Sequence, residues 1–381
     1  MRCKRCHNTD ESYFYLGSNG YYCRKCIHFK RILLEEDLAP VDYELSTNAG
    51  EYSLDYELTP KQREISEQCR KLIHDSDVLL CCVCGAGKTN IVVDTISDYL
   101  KNGKHVCFAI PRKEVVLELR ERFAKIFSNN KVIAVCGGHH KEIYGDLIIC
   151  TTHQLYRYYK AFDLLIIDEV DAFPFRGDEV LNNIALSTAK SHIIYSTATI
   201  DDKLIEFISK RKYVTLNLYE RPHFHPLIVP KVIYAPKLIL ILMILYEITN
   251  AKNQYIIFVE SKLLCKLLYR LYREFVSISY VYSDLESRDE NIQAFKNKKY
   301  QHIIATSVLE RGITIDGVNV IILHVMPNVF TKSAIIQMVG RVGRSFAHPD
   351  GIAKIYSSFY DGEVNASIKE IKYANEVSLL R

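Results

Sequence analysis

The sequence predicts an α/β protein with two tandem parallel-sheet domains, preceded by a small cysteine-rich module. From about residue 58 onward, short apolar runs alternate with segments of helical spacing. This alternation is typical of strand–helix–strand units whose sheets are covered on both faces. Four prolines between Arg221 and Pro236 interrupt the alternation and indicate a domain boundary. Four of the twelve cysteines lie within the first 26 residues, which sets the start of the chain apart.

These features predict the domain bounds. We expect a module over residues 1–35, an acidic linker over 36–57, a first α/β domain over 58–222 and a second over 223–381. The net charge of +4 neither requires nor excludes a nucleic-acid partner. The longest apolar run, Leu238 to Tyr246, is too short to cross a bilayer and is expected to form a buried helix. The sequence therefore predicts no transmembrane segment and a cytoplasmic, reducing location.

Two Cys-x-x-Cys motifs separated by sixteen residues begin the chain. This spacing is typical of a four-thiolate zinc site, in which the metal contributes much of the folding free energy of a small module. A redox pair is the alternative, but it needs only one such motif. The basic residues of the module could contact nucleic acid or form a solvated face. The predicted zinc ligands are Cys3, Cys6, Cys23 and Cys26.

The first candidate functional motif of the first domain is a Gly-rich loop. It lies between a predicted strand at Val78–Leu80 and a predicted helix at Asn90–Ile96. Backbone N–H groups of such a loop can surround phosphate oxygens at the helix N-terminus. Cys82 stands where the strict pattern has glycine, but the Gly-x-Gly-Lys-Thr tail is intact. Lys88 would reach the β- and γ-phosphates and Thr89 would hold Mg²⁺, whereas the alternative is an ordinary glycine turn.

A helix is predicted ahead of this loop, with Thr59 as its cap and Pro60 at its first position. Gln62 lies one turn into that helix. Its amide could pair with the donor and acceptor of an adenine edge, or it could simply be solvated. The candidate residues for binding ATP are Gln62, Cys84, Gly85, Ala86, Gly87, Lys88 and Thr89.

A carboxylate motif forms the second strong signal. Four aliphatic residues, 164–167, precede Asp168-Glu169-Val170-Asp171. A carboxylate at the end of a buried strand beside a phosphate loop can hold Mg²⁺, so we assign Asp168 and Thr89 to magnesium. Glu169 would orient and deprotonate the attacking water. A charged loop is the alternative, but it rarely carries this pattern downstream of such a glycine motif.

Other predicted strands end in small, basic or hydroxyl residues. Ligands of parallel sheets bind beyond the strand carboxyl ends, so these residues could bind a phosphodiester backbone. The alternative is that they only form ordinary loops. The short hydroxyls of Ser196–Thr199 could relay between the acids and the second domain. The candidate nucleic-acid-binding residues are Arg112, Gly138, Thr151, Thr152 and Thr306.

A glutamine- and arginine-containing motif, Gln337–Arg344, closes the set. We expect Arg341 and Arg344 to share one helical face, since they are three residues apart. A guanidinium supplied from a second domain can act on a γ-phosphate as an arginine finger. A basic surface helix is the alternative. The candidate catalytic residues are Lys88, Thr89, Asp168, Glu169, Gln337, Arg341 and Arg344.

As an ordered set, these motifs resemble the superfamily 2 helicases and translocases, which have two RecA-like domains. A narrower resemblance is to the ComFA family of late-competence ATPases from Gram-positive bacteria. The chain departs from the usual pattern at Cys82, where an alanine is common, and in its very short N-terminal module. The ComFA resemblance rests on the four-cysteine module, Val83–Thr89, Thr151–Leu155, Asp168–Phe175 and Leu309–Thr314.

The resemblance implies a function. A ComFA-type ATPase is expected to use ATP and Mg²⁺, and to couple hydrolysis to the uptake of single-stranded DNA during transformation. It would act at the cytoplasmic face of a membrane channel with a ComFC partner. Contacts to the nucleic-acid backbone would make binding sequence-independent and salt-dependent. The alternatives are a general DNA or RNA helicase, and an adaptor whose zinc module recruits a partner while the ATPase acts as a switch.

Overall fold

A computed structural model describes residues 1–46, 50–310 and 315–379. These residues divide into two units. The first comprises Met1–Cys82 and Gly87–Leu218, and the second comprises Val83–Ala86 and Tyr219–Arg381. Each unit contains one parallel sheet, so the predicted fold class of two parallel-sheet α/β domains is confirmed. The exact domain bounds stay a prediction.

The N-terminal module is built on a short antiparallel hairpin of strands β1 (Phe14–Gly17) and β2 (Gly20–Cys23). Phe14 lies opposite Cys23 and Tyr15 lies opposite Tyr22. A 3₁₀ turn, Ile27–Phe29, follows the hairpin. Its Phe29 belongs to the same apolar cluster as residues deep in the first sheet domain, so the module shares a core with that domain.

The sheet of the first unit has seven strands in the order β5-β6-β4-β7-β8-β3-β9, and each neighbouring pair is parallel. Most of these strands are buried along their length, which explains why they appear in the sequence as continuous apolar runs. The strands are β3 (Asp77–Cys82), β4 (Val106–Ile110), β5 (Val132–Val135), β6 (Leu147–Thr151), β7 (Phe162–Asp168), β8 (Ala189–Thr197) and β9 (Tyr213–Leu218).

Helices cover this sheet. The first begins at Pro60, as predicted, in a capping box: Gln62 N–H donates to Thr59 Oγ1 at 3.2 Å and Thr59 N–H donates to Gln62 Oε1 at 3.0 Å. The helices of the first unit are α1 (Pro60–Leu72), α2 (Lys88–Ile91), α3 (Val93–Lys101), α4 (Lys113–Ile126), α5 (Glu179–Thr188) and α6 (Asp202–Ile208).

The second unit has a six-stranded sheet in the order β10-β15-β14-β11-β13-β12, again with parallel neighbours. Its strands are β10 (Lys231–Tyr234), β11 (Tyr255–Phe258), β12 (Ile278–Val281), β13 (His302–Ala305), β14 (Asn319–His324) and β15 (Ala353–Ser357). Its helices are α7 (Lys237–Thr249), α8 (Lys262–Tyr272), α9 (Arg288–Lys296), α10 (Lys332–Val339) and α11 (Gly362–Leu379).

Helix α7 differs from the expectation of a buried helix. Leu240 and Ile244 face the core, but Leu238, Leu242 and Tyr246 are 76%, 62% and 75% exposed. Only one side of this helix packs on the sheet, because residues four apart share a face and the opposite face points outward. Within the described ranges, none of the helices combines the length and hydropathy that a membrane span requires.

A buried histidine ties together the loops at one edge of the second sheet. The ring of His324, at the end of β14, hydrogen-bonds Glu260 Oε1 through Nδ1 at 2.8 Å and Asp361 Oδ2 through Nε2 at 2.7 Å. Glu260 Oε1 also accepts the N–H groups of Val325 and Met326, each at 2.9 Å. Burial lowers the pKa of His324, but its two carboxylate partners outweigh burial, so its pKa is raised above 6.5.

The His324 network predicts a pH-dependent stability. A raised histidine pKa contributes stability that is complete below the unfolded pKa of about 6.5 and is lost as pH rises through the folded pKa. We expect His324→Gln to lower the free energy of unfolding by roughly 1.5–3 kcal/mol at pH 6, with a smaller loss at pH 9. Denaturant unfolding of both proteins across this range measures the difference. Equal losses at both pH values would contradict a protonated His324.

Candidate functional site

The Gly-rich loop lies between β3 and α2, as predicted. Gly85 and Gly87 have φ angles of 85° and 81°, which side-chain-bearing residues rarely adopt. A Cβ atom on Gly87 would also lie 2.6 Å from Nε2 of Gln62. Helix α2 begins at Lys88, so the loop presents the N–H groups that a helix start leaves without intrahelical partners. The sharp loop and its glycines therefore suit a phosphate ligand.

The lysine of the loop and the first acid of the carboxylate motif lie in one site. Lys88 Nζ is 3.8 Å from Asp168 Oδ1, and both side chains are largely buried. Asp168 is the last residue of β7, and its Oδ1 also accepts the N–H of Glu169 at 2.9 Å. Glu169 has a φ of 55°, a conformation that is costly for a residue with a Cβ and that is common at functional sites. The half-buried Thr89 is the next residue after Lys88.

The acidic loop is joined to the Ser196–Thr199 segment. Thr199 Oγ1 donates to Asp171 Oδ2 at 2.7 Å, and Val170 N–H donates to the Ser196 carbonyl at 3.2 Å. Thr199 N–H in turn donates to Thr197 Oγ1 at 3.1 Å. The Ser196–Thr199 segment therefore holds the acidic loop in place by hydrogen bonds within the first unit. Its predicted role in connecting the acids to the second domain stays a prediction.

Three neighbouring strands carry the candidate nucleic-acid contacts of the first unit. Arg112 follows β4, Gly138 follows β5, and Thr151 ends β6, and these strands lie side by side in the order β5-β6-β4. Their carboxyl ends therefore meet at one sheet edge. Thr151 and Thr152 are buried there, and Thr152 Oγ1 has no hydrogen-bond partner among the described residues.

In the second unit, Thr306 follows β13 and directly precedes a short 3₁₀ turn, Ser307–Leu309. Residues 311–314, which belong to the segment Leu309–Thr314 that contributes to the family resemblance, lie outside the described residues. Gln337 is buried on α10. These residues stay predictions as parts of a functional site.

The prediction that Arg341 and Arg344 share a helical face is wrong. Helix α10 ends at Val339, and the chain continues in tight turns with Gly343 at a φ of 65°. Arg341 is buried and its Nε donates to the Glu310 carbonyl at 3.2 Å, whereas Arg344 Nε donates to the Gly340 carbonyl at 2.8 Å. Glycine at 340 and 343 favours turns over helix, which the three-residue spacing could not reveal.

Arg221 is a functional candidate that sequence reasoning missed. Its side chain is fully buried. Its guanidinium donates to three carbonyls of the arginine turn: to Val342 at 2.9 Å and Gly343 at 2.5 Å from Nη1, and to Gly340 at 3.2 Å from Nη2. Burial lowers the pKa of Arg221 to about 10, so the group stays charged at neutral pH. The sequence signal was slight, because Arg221 lies in the proline-rich boundary.

We expect Arg221→Lys to weaken both stability and ATP hydrolysis. A lysine cannot reproduce the planar fork that spans several carbonyls, and each buried carbonyl left unpaired costs about 1–3 kcal/mol. Denaturant unfolding and steady-state ATP hydrolysis measure the two effects. Arg270→Lys, an exposed position on α8, is the matched control and should change neither. Wild-type stability in Arg221→Lys would show that the turn does not depend on this side chain.

The four N-terminal cysteines form one buried cluster. Their sulfur atoms lie within 4.8 Å of one another; Cys3 Sγ is 3.8 Å from Cys26 Sγ, and Cys6 Sγ is 3.7 Å from Cys23 Sγ. Tetrahedral zinc with Zn–S bonds of about 2.3 Å requires sulfur separations of about 3.8 Å. Four thiolates this close together repel one another, so they require a cation between them. The residues fit zinc.

Comparisons with known proteins agree with this arrangement. Residues 55–202 match the family model "type III restriction enzyme, res subunit", and residues 237–346 match "helicase conserved C-terminal domain". Competence protein ComFA of Streptococcus pneumoniae is 33% identical, over 98% of this chain and 90% of that protein. Competence protein ComFA of Bacillus subtilis is 30% identical, over 99% and 86%. The chain belongs to the ComFA family.

Solved structures show the fold of this ComFA-family protein. Dbp5 of S. cerevisiae, bound to RNA and ADP BeF3, has a TM-score of 0.63 and 20% identity, over 83% of this chain and 91% of that one. Lhr helicase of Mycobacterium smegmatis has a TM-score of 0.62 and 16% identity, over 84% and 48%. RecG bound to a three-way DNA junction has a TM-score of 0.61 and 17% identity, over 86% and 47%. At these identities the likeness concerns the fold alone.

The comparisons confirm the resemblance inferred from the motifs. The protein is a ComFA-family ATPase of the superfamily 2 helicase type, with two RecA-like domains. An ATPase of this type uses ATP and Mg²⁺. The individual residue roles remain proposals, since the comparisons concern the family and the fold.

Proposed function

We propose that this ComFA-family protein is a motor that hydrolyses ATP to move single-stranded DNA during natural transformation. The full-length similarity to two competence proteins carries the proposal. The sheet edge that joins Arg112, Gly138 and Thr151 in the first unit supports it, because a row of loop ends there can follow a phosphodiester chain. Contacts of that kind bind any sequence and weaken as salt concentration rises.

The chemistry is assigned to the residues of the loop and the acids. Lys88 binds the β- and γ-phosphates, and the loop N–H groups hold the phosphate oxygens. Thr89 and Asp168 would hold Mg²⁺, which neutralises phosphate charge when bound. Glu169 orients the attacking water and accepts its proton. Arg341 and Arg344 are assigned to charge stabilisation on the transferred phosphoryl group, and Gln337 to the same catalytic set.

The cellular setting is part of the proposal. We place the motor in the cytoplasm at the inner face of the membrane, where a DNA-uptake channel would deliver the strand and a ComFC-type protein would be its partner. The ComFA relationship supports this setting. The four-cysteine module, whose geometry suits Zn²⁺, belongs to the same first unit as Lys88 and Asp168.

Steady-state ATP hydrolysis with and without nucleic acid tests the function. We expect strong stimulation by single-stranded DNA and weaker stimulation by RNA of the same length. A rate that responds to RNA and ignores DNA would overturn the competence motor in favour of an RNA-remodelling helicase. A rate that responds to neither would overturn the motor itself and favour an adaptor that uses ATP as a switch.

A further inference from the structure

One face of the zinc-module hairpin carries an array of aromatic rings. Tyr15 lies directly opposite Tyr22, with ring centroids 5.8 Å apart and ring planes at 63°. Tyr13 ends the 3₁₀ turn Glu11–Tyr13 just before β1, and the N–H of Arg24 donates to its carbonyl at 2.8 Å, so these two residues continue the backbone pairing of the hairpin. Tyr13 and Tyr15 are 41% and 54% exposed. Two exposed tyrosine rings on one small module form a surface that a ligand could contact.

Two rings of this array, those of Tyr15 and Tyr22, are each accompanied by an arginine. Arg24 lies 5.5 Å from the ring centroid of Tyr15, and Arg31 lies 4.1 Å from that of Tyr22. Among the described residues, neither arginine has a carboxylate within salt-bridge distance. Both guanidinium groups lie within cation–π distance of a tyrosine ring, and their charge is not neutralised by an acidic side chain.

A glycine positions one of these cations. A Cβ atom on Gly17 would lie 1.9 Å from Nη2 of Arg31 and 3.2 Å from the ring of Tyr22. The guanidinium thus lies across the hairpin in the space that any side chain at position 17 would fill. The face presents flat rings and flat cations side by side.

The array is fixed to the first sheet domain. His7 Nε2 is 2.9 Å from Ser187 Oγ, and Asn183 Nδ2 donates to the Cys6 carbonyl at 2.9 Å. The ring of Phe29 lies 6.0 Å from that of His153. His153 belongs to the 3₁₀ turn Thr152–Arg157, which directly follows Thr151 at the end of β6. The module therefore packs on the segment that continues from the candidate nucleic-acid edge.

We propose that the face formed by Tyr13, Tyr15, Tyr22, Arg24 and Arg31 binds single-stranded nucleic acid. Bases stack on the exposed rings of Tyr13 and Tyr15, and the arginines pair with phosphates. Aromatic side chains interleaved with cations are the usual means of holding a single strand without reading its sequence. The inference rests on the proposed function, because it requires that single-stranded DNA binds along the first domain. It goes beyond that function by assigning the zinc module a direct part in binding the DNA.

Fluorescence anisotropy of labelled oligo(dT) with the zinc-loaded full chain tests the proposal. Loss of one stacking ring weakens single-strand binding by about 5- to 150-fold, so Tyr15→Ala should raise the Kd by that factor, while Tyr15→Phe should keep most of the affinity. Tyr21→Ala is the matched control, because Tyr21 is 39% exposed on the opposite face. Arg31→Ala should reduce the slope of log K against log salt by about 0.7. Zinc content and thermal unfolding of each variant establish that it is folded.

The outcomes separate the two proposals. If the wild type fails to bind oligo(dT), the proposed function fails together with the inference. If the wild type binds and Tyr15→Ala binds equally well, only the inference is overturned, and the face is then available for an acidic protein partner. An equal loss in Tyr21→Ala and Tyr15→Ala would also overturn it, because the effect would not belong to this face.

Discussion

Glu169→Gln should reduce the rate of ATP hydrolysis by about 10²- to 10⁴-fold, the usual contribution of a general base. The carboxylate follows Asp168 at the end of β7, beside the lysine of the glycine loop. A neutral amide of the same shape cannot accept the proton of the attacking water. Because the lysine, the loop and the magnesium ligands remain, the affinity for ATP should change little. Steady-state hydrolysis and equilibrium binding of a fluorescent ATP analogue measure the two quantities.

Two further variants define the role of Glu169. Glu118→Gln changes an exposed acid on α4 and should leave hydrolysis unchanged. Asp168→Asn removes a proposed magnesium ligand, so it should weaken both magnesium-dependent nucleotide binding and hydrolysis. Hydrolysis at the wild-type rate in Glu169→Gln would refute its assignment as the base and direct attention to Asp171, which is held by Thr199.

Cys23→Ser should abolish zinc binding and produce the largest loss of stability among the substitutions considered. Structural zinc supplies about 10–16 kcal/mol of apparent binding free energy in small peptides, and a hydroxyl is a poor replacement for a thiolate. The loss should extend beyond the module, since Phe29 and Ile32 share an apolar cluster with Leu155 and Leu181 of the first sheet domain. Zinc content and thermal unfolding of the first unit are the measurements.

Cys81→Ser is the matched control for this experiment. Cys81 is a half-buried cysteine on β3, so its substitution should retain the full zinc content. Full zinc occupancy and unchanged unfolding in Cys23→Ser would contradict the four-thiolate site. Point substitutions are preferable to removal of residues 1–35, because removal would expose the apolar surface that the module covers in the first unit.

The local motifs could be predicted from the sequence because each depends on neighbours in the chain. The helix cap at Thr59, the loop from Gly85 to Thr89 and the acids after 164–167 are short patterns whose backbone geometry follows from residue type. The two Cys-x-x-Cys motifs likewise fix ligand type and spacing. The alternation of apolar runs and helical segments was enough to predict two parallel sheets.

Contacts between distant segments were not predictable in this way. In the sequence, Arg221 is only part of a proline-rich domain boundary. In the structure, it donates hydrogen bonds to the turn at Gly340–Gly343. The turn itself replaces the helical face expected for Arg341 and Arg344. Helix α7 has an exposed apolar face that could not be predicted from its composition. The helix is apolar on every side, so its hydropathy does not indicate which side packs on the sheet.

The sequence alone determined the class of chemistry and the fold class. Phosphate-binding loops, magnesium-binding carboxylates and zinc-binding cysteines each require particular residue types at short spacing. Only the tertiary structure decided where the zinc module packs, which buried arginine supports the second-domain turn, and how Tyr15, Tyr22 and their arginines are arrayed on one face. The physical reason is that burial and hydrogen-bond satisfaction are settled between segments far apart in the chain, whereas motif geometry is settled within a few residues.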